Sequence, residues 1–180
     1  MAKGHRGNPS KGVKIDKMYA IPVHLSGLAP LVLSNQEISL IDQHHKETLR
    51  CLLRLYPKTP RWVVYFLAGC LPGAALLHLR QLSLFGMITR LPGSIINKIA
   101  VHQLSSAKFS SGSWFLQIRD LCIKYLLPSP LTLLHCQMTK FSYKKLIKSK
   151  VIDFWQKSLR QEAFKFIDHS LKYFKQSICP

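Results

Sequence analysis

With 180 residues, 26 Lys and Arg against eight Asp and Glu, and 47% hydrophobic side chains, the chain joins a formal charge of +18 to enough apolar material for a core. That balance excludes wholesale disorder and points to a polyanionic partner. The shortage of carboxylates argues against two-metal and most hydrolytic chemistry, which needs clustered acids.

Residues 1–13, rich in Gly, Lys and Ser, read as a flexible basic arm with no secretory segment behind Met1. Five scattered cysteines (Cys51, Cys70, Cys122, Cys136 and Cys179) form no C-x-x-C, so reduced thiols in an intracellular setting are expected. A helical region covers 14–104. It starts with Lys14–Ala20, which meets Pro22, and continues as an apolar run to Leu33. Ser34-Asn35-Gln36-Glu37 reads as a capping box. The helix behind it places Ile38, Ile41, His45, Leu49 and Leu52 on one stripe. Thr59 is expected to cap a short helix beginning at Pro60, and Gly69 to end it. Ala74–Leu91 is apolar on most sides, the pattern of a central helix. Ser94 is expected to cap a helix to about His102. A Ser-rich linker, 105–112, then leads into a basic region, 113–180. There Trp114–Leu127, a short turn from Pro128-Ser129-Pro130 to Gln137, and a long helix from Ser142 to Asp168 are expected. No strand-type alternation or internal repeat is found, so the fold class is all-α: a helical bundle followed by a long basic C-terminal helix.

No G-x-S-x-G, G-x-x-x-x-G-K-[ST] or G-x-G-x-x-G occurs, and no acid is placed to orient any of the eight His. Glu37, Asp42 and Glu47 step five residues at a time and share no tight face. Cys70, Cys122 and Cys136 lack the paired spacing of a structural zinc site, so no metal and no cofactor is expected. Trp62–Leu79 is uncharged over nearly the roughly 20 residues that span a bilayer. Gly69, Pro72 and Gly73 inside it fit a buried helical hairpin better than a membrane segment, which is kept as a rival reading.

The last 42 residues hold ten basic and three acidic side chains. Lys144 and Lys148 lie one helical turn apart, and Lys145, Lys150, Lys157 and Arg160 stand near them. These six are the candidate phosphate contacts. Phe141, Tyr143, Phe154, Trp155, Phe164 and Phe166 interleave with them. Such rings can stack on unpaired bases, but an ordinary core contact is the favoured reading for them.

The order of motifs has a likeness. Gly7-Asn8-Pro9-Ser10, Tyr19-Ala20-Ile21-Pro22-Val23 and Gly27-Leu28 resemble the end of the polymerase domain in non-LTR retrotransposon reverse transcriptases. Leu49-Arg50 with Tyr56-Pro57-Lys58-Thr59-Pro60, and Gly69-Cys70-Leu71-Pro72 with His78-Leu79-Arg80-Gln81-Leu82-Ser83-Leu84-Phe85-Gly86, resemble that family's following motifs. Ser113-Trp114-Phe115, Tyr125-Leu126-Leu127-Pro128-Ser129-Pro130 and Ser170-Leu171-Lys172-Tyr173-Phe174 resemble the region beyond the polymerase domain. Ser26 and Ala29 depart from the pattern, standing where the family has Tyr and Glu. The resemblance implies a helical thumb and post-polymerase region without catalysis of its own, since no residues match the palm's paired-Asp motif. It implies RNA or an RNA–DNA hybrid as ligand and the upstream palm domain as protein partner. A nuclear rather than cytoplasmic location is expected. The rivals are a basic helical protein-interaction module using the Trp62–Leu91 surface, and the membrane-associated chain.

Overall fold

The computed structural model describes residues 8–106 and 112–178, with side chains to Asp168. Among the described residues every regular element is helical, and the chain is an all-α bundle ending in one long basic helix. The helices are α1 Pro9–Ile15, a π-helical turn Asp16–Ala20, α2 Ile21–Leu28, α3 Asn35–Leu53, α4 Arg61–Ala68, α5 Gly73–Ile88, α6 Ile95–Ser106, α7 Trp114–Lys124, α8 Pro130–His135 and α9 Lys140–Ile178.

Local chemistry explains most of these bounds. Ser34 accepts from the Glu37 amide (3.3 Å) while its own amide donates to Glu37 Oε2 (2.7 Å), so the capping box forms. Gly69 (φ +58°) ends α4 in the left-handed region, where a side chain is disfavoured. Asn97 N–H donates to Ser94 Oγ (3.2 Å), and α6 runs on through Ser105 and Ser106, the first residues of the expected linker.

Two expectations meet a different outcome. Helix begins inside the expected 1–13 arm, at Pro9, because Asn8 Oδ1 caps the Ser10 amide and proline suits a first helical position. Residues 1–7 of that arm lie outside the described residues. Thr59 does not cap α4. Its hydroxyl donates to Tyr56 O (2.6 Å), and Pro60 holds the cap position without a side-chain bond. Pro22, which the first helical stretch meets, lies within continuous helix. Its ring would press on the carbonyl four residues back, and the wider π turn, closed by Ile21 N–H to Asp16 O, relieves that crowding.

The main core gathers around α5. Leu82 and Phe85 of α5, Ala100 of α6, Ile118 of α7 and Ile147 and Val151 of α9 are fully or nearly fully buried in one cluster. That cluster draws on both sides of the Ser-rich stretch, so the 14–104 and 113–180 regions share one interior. A smaller core joins Val13, Leu49, Val64, Tyr65 and Ala68 from α1, α3 and α4. Tyr143 lies over Gly86 of α5 and donates its hydroxyl to Leu82 O (2.9 Å), which fixes how α9 crosses α5. Much of the Trp62–Leu91 surface is therefore interior. No single helix among the described residues is long and apolar enough to cross a membrane; α4 and α5 reach that length only as a pair bent by 63°.

Candidate nucleic-acid interface

Helix α9 puts Tyr143, Ile147, Val151 and Trp155 into the core at four-residue steps. The residue after each of these falls on one flank of the helix, and with Lys140 and Arg160 that row reads Lys140, Lys144, Lys148, Ile152, Gln156, Arg160. All six candidate phosphate contacts are exposed, but they do not share one surface. Lys144, Lys148 and Arg160 occupy the flank. Lys145 and Lys157 follow buried residues by two positions, about 200° round the helix from them. Lys150 precedes Val151 and lies on the opposite flank.

Two cavities open along the Lys144 flank. One, about 990 Å³, lies between α2, α5 and the start of α9. Its floor is aliphatic, with Leu25, Leu76, Leu79 and Met87, and Lys17, Arg80, Arg90, Lys140 and Lys144 also line it. The other, about 650 Å³, lies between α4 and α9 and includes Trp62, Phe66, Gln156 and Arg160. Both reach Gly69, Cys70 and Leu71, so they meet there; the first touches α9 at Lys140, Tyr143 and Lys144 and the second at Ile152 to Ala163, leaving Lys148 exposed on the flank between them. Among the described residues no carboxylate lines either one. Lys17 is occupied, donating to Ala68 O (2.6 Å) and Gly69 O (3.0 Å) at the end of α4. Arg80, Arg90, Lys140, Lys144, Lys148 and Arg160 form no ion pair among the described residues. The lysine row was legible from sequence; Arg80 and Arg90 were missed, because only packing of α5 on α9 brings them to the same groove.

The aromatic residues of α9 divide. Tyr143 and Trp155 belong to the core, as favoured, and Phe154 packs edge-on against Tyr125 and Trp155. Phe141 and Phe164 stand in solvent.

Buried polar groups serve the scaffold. Trp155 Nε1–H donates to the Tyr125 hydroxyl (2.9 Å), which is hydrogen-bonded in turn to His78 Nδ1 (2.6 Å). Burial, and then the Lys124 charge, push His78 down to about 3, so it stays neutral. Lys124 sits over the Tyr125, Phe154 and Trp155 rings at 5.4–5.7 Å. His45 Nε2 lies 3.7 Å from Asp16 Oδ2, and burial lowers its pKa despite that carboxylate. His45 makes no hydrogen bond to a Ser or Cys among the described residues, and burial pushes the nearby Cys70 thiol up to about 11, well away from a reactive thiolate. Cys51, Cys70, Cys122 and Cys136 are free thiols; Cys179 lies outside the described residues. No three metal-ligating side chains converge among the described residues. The arrangement offers charge and apolar surface for binding rather than a poised nucleophile.

No protein-family model, curated protein or solved structure matches the chain, so its function is argued from this groove and its charges.

Proposed function

We propose that the chain binds RNA or an RNA–DNA hybrid with little regard to sequence, holding phosphates along the cationic flank of α9. The observation that carries this reading is the cationic flank and the cavities beside it: Lys140, Lys144, Lys148 and Arg160 lie on one row of α9, Arg80 and Arg90 line the cavity at its start, and no described carboxylate lines either cavity. Uncompensated cations at helical spacing release counterions when they meet a phosphate backbone, which gives affinity without sequence readout. On the family resemblance, this is the work of the non-catalytic C-terminal part of a retrotransposon reverse transcriptase. Its palm domain is then the protein partner, and the nucleus is the place of action.

The test is a titration of a labelled RNA–DNA hybrid at a series of salt concentrations. With roughly four phosphates contacted, the log–log slope is expected near −3. A flat slope, or no binding at low salt, overturns the reading.

A second reading has one observation behind it. Met87, Leu91, Ile95 and Ile96 are each more than half exposed around the α5–α6 turn, an apolar patch suited to a protein partner. That reading predicts a salt-insensitive protein complex that Ile95→Lys abolishes.

A further inference from the structure

The groove carries aromatic rings where folded proteins ordinarily hide them. Phe66 of α4 is 79% exposed and Phe164 of α9 is 71% exposed. Phe66 lines the α4–α9 cavity together with Trp62, Gln156 and Arg160. Phe164 follows Arg160 by one turn on the row that carries Lys144 and Lys148. Among the described residues neither ring stacks on another aromatic. Phe66 thus shares the cavity with the Arg160 guanidinium, which forms no ion pair among the described residues, and Phe164 stands one turn beyond it, outside the cavity lining.

A double helix gives such rings nothing. Its bases already stack on one another, and it turns sugars and phosphates outward, for which lysines suffice. An unpaired strand presents free π-faces beside its phosphates, and alternating aromatic and cationic groups match both. We propose that the α4–α9 cavity and the helix row beside it form a nucleobase-stacking site, with Phe66 inside the cavity and Phe164 one turn beyond Arg160 as platforms, so that the strand lying there is unpaired. Lys144, Lys148 and Arg160 hold its phosphates, and the planar Arg160 guanidinium can also lie against a base. The cavity, about 650 Å³, falls in the range that admits small organic ligands. This deepens the nucleic-acid reading above and rests on it.

The experiment compares three probes of equal length, about twelve residues for a flank of this size: an unpaired oligoribonucleotide, an abasic oligomer with the same phosphates, and an RNA–DNA hybrid. The unpaired strand is expected to bind about tenfold more tightly than the other two for each ring engaged. Phe66→Leu and Phe164→Leu, both at exposed positions, are expected to erase that preference and leave the salt slope unchanged. Equal affinity for all three probes, with the slope intact, overturns the stacking site while sparing the phosphate flank. Absence of binding to every probe overturns both.

Discussion

Two parts of the molecule treat positive charge in opposite ways. At the corner of α3, α4 and α9, Arg50 pairs with Glu47 at 2.6 Å and Arg61 with Glu162 at 2.7 Å. Arg61 Nε also lies 3.0 Å from Asp42 Oδ2, an ion pair without a well-aligned hydrogen bond, and its guanidinium stands over the Tyr65 and Trp155 rings. Three of the chain's eight carboxylates are held in that corner. Along the flank and the cavity at its start, by contrast, Arg80, Arg90, Lys140, Lys144, Lys148 and Arg160 have none among the described residues. A guanidinium set partly inside a core must be paired, because an uncompensated charge there is costly. A lysine on an open flank is supported by water, and lacking a carboxylate leaves it available to a polyanion. The corner is architecture, and the flank is the surface proposed for a ligand.

The largest effect is expected at the seam that holds the flank in place. In Gly86→Ala the new methyl group meets the Tyr143 ring well inside contact distance, and that ring is pinned by its bond to Leu82 O. A loss of about 2–3 kcal/mol in urea unfolding follows. Tyr125→Phe is expected to cost about 2 kcal/mol, because it strands His78 Nδ1 and the Trp155 N–H in the core. The same His78 sets an acid limb. Its folded pKa, about 3, lies below the ordinary 6.5, so the unfolded chain takes up the proton first. Stability is fully present above pH 6.5 and is lost progressively as pH falls toward 3. His78→Gln should flatten that limb when unfolding is followed from pH 7 downward. Arg61→Gln is expected to cost about 1–2 kcal/mol, discounted because the side chain is 30% exposed, and to leave nucleic-acid affinity nearly unchanged.

Much of this fold was legible in local patterns. The Ser34–Glu37 capping box, the Gly69 stop and the Lys144–Lys148 step each involve residues within one helical turn, where sequence spacing is spatial neighbourhood. Features made by distant segments were not. Arg61 meets Glu162 across 101 residues, with no local sign of it. The groove arises only where α2, α4, α5 and α9 converge on Gly69–Leu71. The π turn before Pro22 depended on how crowding at the proline was relieved, and helix periodicity carries no signal for that. The six basic candidates are all exposed, but only the buried Tyr143–Trp155 stripe sorts them into flank and far side.

The central claim is that the flank's charge is free for a ligand and the corner's is not. Its most direct test is the salt dependence of hybrid binding in two variants, Lys144→Gln/Lys148→Gln on the flank and Arg50→Gln/Arg61→Gln at the corner. The flank variant is predicted to flatten the log–log slope by about 2 while changing stability by less than about 0.5 kcal/mol. The corner variant is predicted to lose stability and keep the wild-type slope. Equal slopes in both variants and the wild type, or a slope lost only from the corner variant, would contradict the account.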